Sequence, residues 1–264
     1  MMASRMTNWV RFRHQGKTGF GTLTQSEISV HDGEMFGDAR PNGRQLALSD
    51  VELLAPTNPS KIIALWNNFH ALAAKLKVPE PAEPLYLLKA PSSVAAPGAV
   101  IRPPARYDGK TAYEGELGIV IGKTCSNVAA DEADEFIFGY TCVNDVTASG
   151  VLNENVDFAQ WCRSKGFDTF GCLGPVIATD LDWSQVRVIT RVDGAERQNY
   201  PLSDMIMPPE ELVSRLSHDM SLLPGDVIAC GTSVGVGSIK EGCSVEVEID
   251  GIGSLVNTLT PGAQ

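Results

Sequence analysis

Two glutamates one glycine apart, Glu114 and Glu116, stand in YEGELGIVIGK at the start of the apolar segment 117–121. In an extended strand, residues i and i+2 project from the same face, so both carboxylates point the same way. Like charges held that closely destabilise each other unless a proton, a cation or water compensates. A shared divalent cation would resolve the conflict, whereas an exposed strand edge would leave two solvated acids. Gly115 between them leaves room for a neighbouring backbone to approach.

A third carboxylate, Asp145, ends the apolar stretch of GYTCVNDVTASG where a turn begins. Aspartate is a common turn former, and this alternative accounts for Asp145 when it is considered alone. Taken together, Glu114, Glu116 and Asp145 offer three hard oxygen ligands, which suit Mg²⁺, Mn²⁺ or Ca²⁺. Zinc fits less well because no cluster of His or Cys accompanies them.

Positive charge lies in the segment QWCRSKGFDTFGCLGP, which contains Arg163 and Lys165. The aromatic neighbours of Lys165, which are Trp161, Phe167 and Phe170, predict a lone ammonium group placed to neutralise a substrate carboxylate. The ordinary alternative is a solvated loop lysine. Arg163 is expected to be an exposed neighbour of Lys165, with a second cation for the substrate as the alternative.

The Gly-rich loop of LLPGDVIACGTSVGVGS follows an apolar strand and contains Thr232. It is not a phosphate-binding loop, because the G-K-[ST] ending is absent and no helix clearly follows. Its backbone N–H groups and the Thr232 hydroxyl suit an oxyanion instead.

Strands are the main elements that must position these residues. Residues 8–30 contain β-formers and Gly turns that predict a short meander or a pair of hairpins, and a polar stretch at 37–50 follows. NNFHALAAKLKVPEP predicts a short helix, and PPEELVSRLSHDM predicts an amphipathic helix on which His218 is a surface or packing residue. Because strands outnumber helices and do not alternate with them, we predict a β-rich α+β fold, with a small N-terminal β unit at 1–56 and a catalytic domain at 57–264.

The composition disfavours several classes of protein. Of the 264 residues, 21 are Lys or Arg and 32 are Asp or Glu, so the formal net charge of −11 disfavours binding to nucleic acid or to an anionic membrane. No apolar run approaches the roughly 18 residues that span a bilayer, and the N-terminus lacks the apolar core of a secretory signal. We therefore expect a cytoplasmic protein whose anionic ligands need local cations. The six cysteines lack C-x-x-C spacing, which predicts buried free thiols.

These motifs, in this order, resemble the fumarylacetoacetate hydrolase superfamily, specifically its small members with a single catalytic domain. The resemblance runs from about Lys61 to Leu259 and rests on YEGELGIVIGK, GYTCVNDVT, KGFDTFGCLGP, LSHDMSLLPGDVIACGTSVGVG and VEVEIDGIGSLVN. It implies a mixed β-roll catalytic fold, a homodimer, and Mg²⁺ or another divalent ion. The metal ligands implied by the matching motif are Glu114, Glu116 and Asp145.

The resemblance also implies a reaction. Members cleave a carbon–carbon bond, decarboxylate or isomerise 2-oxo and β-diketo acids. By motif, Lys165 and Thr232 contact the oxo-acid end of the substrate, and Lys89 lies near the mouth of the pocket. A metal that the substrate chelates acts as a Lewis acid for the enolate formed when the neighbouring bond breaks, and hydrolysis needs a base for water as well.

Two positions depart from the family pattern. Where the family has N-Y-x-x-H-A-x-E, this chain has WNNFHALAAK, which keeps His70 but places Ala73 at the glutamate. We expect His70 to act as a base whose tautomer is less well fixed without that carboxylate. Ser149 stands where the family often has an arginine that holds a substrate carboxylate. The substrate is therefore expected to differ from that of the acylpyruvate-cleaving members.

The leading hypothesis is a divalent-metal-dependent hydrolase that cleaves a carbon–carbon bond in a small 2-oxo or 2,4-dioxo acid, in aromatic catabolism. The alternative is a decarboxylase, or an isomerase or tautomerase of unsaturated 2-oxo dioic acids. That chemistry needs no precisely held water, so the replacement of the family's glutamate by Ala73 impairs it less than it would impair hydrolysis. A third hypothesis is a non-catalytic protein that retains the metal and the ligand pocket.

Overall fold

The computed structural model describes residues 6–260 and is dominated by strands. In chain order the strands are β1 (Thr7–His14), β2 (Lys17–Thr24), β3 (Glu27–Asp32), β4 (Arg40–Ala47), β5 (Glu52–Leu53), β6 (Ile62–Trp66), β7 (Leu85–Lys89), β8 (Val94–Ala95), β9 (Val100–Ile101), β10 (Thr111–Tyr113), β11 (Gly115–Ile121), β12 (Ile137–Asp145), β13 (Thr147–Ala148), β14 (Gly171–Thr179), β15 (Arg187–Val192), β16 (Ala195–Pro201), β17 (Val227–Ala229), β18 (Gly237–Ile239), β19 (Ser244–Ile249) and β20 (Gly253–Leu259). The α-helices are α1 (His70–Leu76), α2 (Ser149–Leu152), α3 (Trp161–Lys165) and α4 (Pro209–Asp219).

These strands form three sheets. The largest has the order β4-β3-β2-β1-β14-β12-β11-β17-β6-β7, with β5 beside β1 and β8 beside β14. A five-stranded sheet has the order β16-β15-β19-β20-β9, and a three-stranded sheet has the order β13-β10-β18. Most neighbours are antiparallel, whereas β6 and β17 pair in parallel. This mixed pairing confirms the predicted β-rich α+β fold.

The two faces of the large sheet have different coverings. The five-stranded sheet covers one face, and apolar side chains between the two sheets form the main core. On the opposite face, Val143 and Leu173 belong to a smaller core that contacts Trp161 of α3. Glu116 lies opposite Val143 in the β11–β12 register, and Asp145 is two residues beyond it, so both carboxylates share this second face.

The N-terminal strands continue the large sheet. β1, β2 and β3 form the antiparallel meander predicted at 8–30. The polar stretch at 37–50 contains β4, which the sequence analysis did not predict, because its side chains face solvent on an outer strand. β1 pairs in turn with β14, where Thr7 lies opposite Thr179.

The predicted small N-terminal β unit is present as the consecutive strands β1 to β4. Val10 and Phe12 of β1 are buried in the main core, which the N-terminal strands therefore share with the rest of the chain. The boundary after residue 56 stays a prediction. The outer ends of both predicted units, 1–5 and 261–264, lie outside the described residues.

The helices and cysteines largely follow the sequence. α1 and α4 confirm the two predicted helices, and His218 is exposed near the end of α4 as expected. Across residues 6–260, no helix combines the length and apolarity needed to cross a bilayer. All six cysteines are free and four of them are buried as predicted, whereas Cys162 is exposed and Cys243 is half-buried.

Candidate active site

Antiparallel pairing of β11 and β12 brings three carboxylates together. Gly115 lies opposite Asn144, so the start of β11 and the end of β12 meet. Glu116 and Asp145 are fully buried there, and Glu114 is partly exposed. One ligand oxygen from each carboxylate lies within 4.8 Å of the other two. The structure thus assembles the three carboxylates that the sequence analysis selected, which we call the carboxylate cluster.

Two buried lysines pair with the carboxylate cluster. Nζ of Lys165, at the end of α3, donates to Asp145 Oδ2 at 2.6 Å and to Thr147 Oγ1 at 2.7 Å. It also lies 2.9 Å from Glu114 Oε1. Nζ of Lys89, at the end of β7, contacts Asp145 Oδ1. Lys165 therefore has two carboxylate partners within the protein, where the sequence analysis expected a lone ammonium group.

Burial and neighbouring charges act differently on each member. Burial raises the pKa of Glu116 well above its usual range, and Asp145 and Glu114 raise it further. Burial would also raise the pKa of Asp145, but Lys165 and Lys89 reverse that effect and lower it. Burial opposes the charge of Lys165, yet Asp145 and Glu114 raise its pKa. Burial lowers the pKa of Lys89 despite Asp145. Glu116 is thus the carboxylate with the least compensation.

Glu116 also shows why a cation fits this site. Its Oε2 accepts a hydrogen bond from Gly231 N at 3.0 Å, whereas its buried Oε1 has no hydrogen-bond partner among residues 6–260. A buried carboxylate oxygen without a partner is costly, and a divalent cation held with Glu114 and Asp145 would satisfy it. Because the donors are carboxylate oxygens alone, the site suits Mg²⁺, Mn²⁺ or Ca²⁺ better than zinc.

Side chains from β16 and from the loop after β17 hold the backbone between the two glutamates. Tyr200 Oη donates to the Gly115 carbonyl at 2.6 Å, and Gln198 Oε1 accepts from Gly115 N at 3.0 Å. Thr232 Oγ1 donates to the same carbonyl at 3.0 Å and accepts from Gln198 Nε2 at 2.8 Å. The Thr232 hydroxyl is thus engaged with the backbone, and its contact with a substrate stays a prediction.

Gly115 is required here by space. A Cβ at this position would lie 2.0 Å from Thr190 Oγ1 and 3.3 Å from Gln198 Oε1. Its close neighbours are therefore side chains of β15 and β16, where the sequence analysis expected a backbone. Gly115 lets the five-stranded sheet pack directly behind the carboxylate cluster.

His70, the predicted base, stands at the start of α1 with its side chain about half exposed. Its Nδ1 lies 2.6 Å from Glu80 Oε1, so the loop after α1 supplies a carboxylate. Ala73, at the position where the family pattern has glutamate, is buried within α1. The imidazole thus has a partner that the sequence analysis did not find. His70 makes no described contact with the carboxylate cluster within residues 6–260, so its catalytic role stays a prediction.

Two other candidate positions lie on exposed surface. The Arg163 guanidinium projects from α3 and contacts Glu154. Ser149 is exposed at the start of α2. The buried positive charge beside the carboxylate cluster therefore comes from Lys89 and Lys165.

The chain matches two family models along almost its whole length. The model described as Fumarylacetoacetate (FAA) hydrolase C-terminal matches residues 61–260. The model described as Rv2993c-like, N-terminal matches residues 8–56.

Relatives with several activities are similar to this chain. Oxaloacetate tautomerase YisK of Bacillus subtilis is 35% identical over 227 residues, which cover 81% of this chain and 74% of that protein. The crystal structure of 2-hydroxyhepta-2,4-diene-1,7-dioate isomerase from Mycobacterium marinum has a TM-score of 0.89 at 34% identity and covers 98% of this chain and 100% of that chain. Maleylpyruvate hydrolase from Sphingobium sp. SYK-6, solved with manganese(II) and pyruvate, has a TM-score of 0.79 at 25% identity and covers 97% and 100%. The family model, the relatives and the fold agree with the resemblance seen in the motifs, and the chain belongs to the fumarylacetoacetate hydrolase family.

Proposed function

We propose that this chain is a divalent-metal-dependent enzyme that interconverts the keto and enol forms of a small 2-oxo acid. One observation carries the proposal: three carboxylates and two lysine ammonium groups share one buried cluster on a single sheet face. A chain with a net charge of −11 needs such local cations to bind an anion. The tautomerase and isomerase relatives support the same reaction type.

Each member of the site has a role in this proposal. Glu114, Glu116 and Asp145 would hold Mg²⁺, Mn²⁺ or Ca²⁺, and the bound cation supplies Lewis acidity toward the oxo group. Lys165 and Lys89 would orient the substrate carboxylate and oppose the negative charge that develops as C3 loses its proton. His70, the base predicted from the sequence and held by Glu80, would accept that proton and return it to the enolate oxygen. The loop and β16 side chains that hold Gly115 keep the ligand-bearing segment fixed, so little reorganisation accompanies the reaction.

A second candidate function is hydrolysis of a carbon–carbon bond in a 2,4-dioxo acid. The observation that favours it is the His70–Glu80 pair, because an imidazole oriented by a carboxylate suits the activation of water. The maleylpyruvate hydrolase with a similar fold supports this reading as well. Decarboxylation would use the same cluster. For each of these functions, we further propose that the chain is a cytoplasmic homodimer and that it acts in aromatic catabolism.

Product analysis separates these functions. The enzyme is supplied with Mg²⁺ or Mn²⁺ and given the enol form of oxaloacetate or an acylpyruvate. We expect faster loss of enol absorbance with no change in substrate mass. Release of two acids from the acylpyruvate would show hydrolysis instead of isomerisation. Release of carbon dioxide would show decarboxylation. Metal binding without turnover of any probe would indicate a non-catalytic binding protein.

A pair of lysine variants tests the role of the cluster. Lys165→Met removes the ammonium group that contacts Asp145 and Glu114, and we expect at least a roughly 100-fold loss of isomerisation. Lys123→Met, an exposed lysine just after β11, is the matched control and is expected to retain the wild-type rate. Equal rates in the two variants would contradict a role for the buried charge.

A further inference from the structure

An apolar pocket lies beside the charged site on the same face of the large sheet. Its volume is about 310 Å³. The residues that line it carry no charge: Trp66, Leu85, Tyr86, Leu87 and Trp161. The rings of Trp66 and Trp161 lie 5.8 Å apart between centroids and are tilted by 50°. We call this cavity the tryptophan pocket.

Two elements connect the tryptophan pocket to the carboxylate cluster. On α3, Trp161 lines the pocket and Lys165, four residues later, contacts Asp145. Residues four apart lie on one face of a helix, separated by about 6 Å along its axis. On β7, Leu87 lines the pocket and Lys89, two residues later, also contacts Asp145. Residues two apart share a strand face and lie about 7 Å apart.

On both elements the apolar cavity therefore lies close to the two lysines that are proposed to bind the substrate carboxylate. Along α3 and β7 the lining residues and the lysines are thus about 6–7 Å apart, so a substrate whose carboxylate lies at the lysines would need the length of a few carbon atoms to reach the tryptophan pocket. Among residues 6–260 no cation lines this pocket, and Arg163, two residues after Trp161, is exposed and paired with Glu154. A second carboxylate would lose hydration there without gaining a countercharge, whereas an aromatic or branched alkyl group would bury apolar surface.

We infer that the tryptophan pocket is a specificity subsite that binds the apolar substituent of a monocarboxylic 2-oxo acid. The inference rests on the proposed function and narrows its substrate class from small 2-oxo acids in general to monocarboxylic 2-oxo acids with an aryl or branched alkyl substituent. Leu85, Tyr86 and Leu88 are also partly exposed on β7, the last strand of the large sheet. A contact with a second copy of the chain is therefore the competing use of this surface.

Hydrogen exchange at C3 tests the inference, because enolisation in D₂O replaces the C3 protons of any 2-oxo acid. Phenylpyruvate, 4-phenyl-2-oxobutanoate and oxaloacetate are compared by proton NMR with Mn²⁺-loaded or Mg²⁺-loaded wild-type enzyme. We expect a higher kcat/KM for the phenyl compounds than for oxaloacetate, chiefly through a lower KM. Exchange of oxaloacetate without exchange of, or inhibition by, the phenyl compounds would overturn the subsite and leave the proposed function intact. No exchange of any compound would defeat the proposed function itself.

A matched pair of variants on one strand completes the test. Leu85→Ala removes part of the wall of the tryptophan pocket. Leu88→Ala is the control, because Leu88 faces the other side of β7 from Leu85 and is similarly exposed, at 41% against 42%. We expect the ratio of kcat/KM for phenylpyruvate to that for oxaloacetate to fall about 10-fold in Leu85→Ala and to stay unchanged in Leu88→Ala. Equal ratios in both variants would overturn the subsite. If analytical ultracentrifugation showed a lower mass of the assembly for both variants than for the wild type, that result would overturn the subsite and assign the surface to a contact between copies of the chain.

Discussion

At the residue scale, Glu116 shows that a side chain suited to bind a cation can lower the stability of the fold. Its carboxylate is buried near two others, and one of its oxygens is left without a partner among the described residues. Sequence alone predicted this cluster, because the spacing of the two glutamates is local and Asp145 ends the neighbouring strand. It could not predict Glu80 as the partner of His70, because that contact depends on how the loop after α1 turns back.

Glu116→Gln should separate stability from metal binding. Without metal, the neutral amide avoids a buried like charge, so we expect the free energy of unfolding to stay equal or to rise. For the wild type, metal at roughly 100 times its Kd should add about 2.7 kcal/mol, and this gain should largely vanish in the variant. Chemical denaturation with and without Mn²⁺ measures both terms. Glu132→Gln, at an exposed position, is the control, and an undiminished metal gain in Glu116→Gln would refute the ligand assignment.

The His70–Glu80 pair should behave as one unit in the reaction. If Glu80 orients the imidazole, Glu80→Gln should lower kcat about 10-fold and leave KM nearly unchanged. The double variant with His70→Ala should be no slower than His70→Ala alone, because the two residues act through one group. Steady-state kinetics measures this cycle.

Glu83→Gln gives the control for that cycle, since Glu83 lies in the same loop but contacts Arg215. It should retain the wild-type kcat. Additive losses in the double variant would show that Glu80 acts independently of His70.

At the scale of elements, the site depends on how closely the five-stranded sheet approaches β11. Tyr200 and Gln198 reach Gly115 from positions 85 and 83 residues away, so no local motif identifies them. α3 also escaped prediction, because five residues are too few to show a helical period. The longer α1 and α4 carry enough pattern to be predicted.

A rescue experiment tests that close approach. Gly115→Ala would place its methyl group 2.0 Å from Thr190 Oγ1, so we expect a loss of about 1–3 kcal/mol in the free energy of unfolding. Adding Thr190→Ala removes that oxygen, which has no hydrogen-bond partner among the described residues, and should recover much of the loss. Urea denaturation measures each step of the cycle. Strict additivity of the two changes would show that the alanine is accommodated by some other movement.

For the whole molecule, the pairing of β1 with β14 makes one continuous sheet from two segments that the sequence separates. Thr7 and Thr179 lie opposite each other although they are 172 residues apart. Such a pairing leaves no trace in local composition, so the sequence analysis predicted the small N-terminal β unit but not that it continues the large sheet. Trp9 crosses the junction, since its ring lies 5.7 Å from that of Phe138 on β12.

We therefore expect the N-terminal strands and the remainder to unfold together. The difference in fluorescence between wild type and Trp9→Phe reports on β1, and the corresponding difference for Trp183→Phe reports on the second half of the chain. Both signals and far-ultraviolet circular dichroism should give one urea midpoint. An earlier midpoint for the Trp9 signal would identify an N-terminal unit that unfolds on its own.

The two buried lysines bear on when a newly made chain could bind the proposed cation. The ammonium groups of Lys89 and Lys165 contact both oxygens of Asp145, so this carboxylate has countercharges as soon as the sheet closes. Folding then does not have to wait for an ion, in contrast with small domains that are unfolded until metal arrives. A divalent cation bound at the proposed site would enter an already folded protein and would take over contacts that the lysines hold. The identity of that ion would then be decided after synthesis, by the supply of divalent ions around the folded protein.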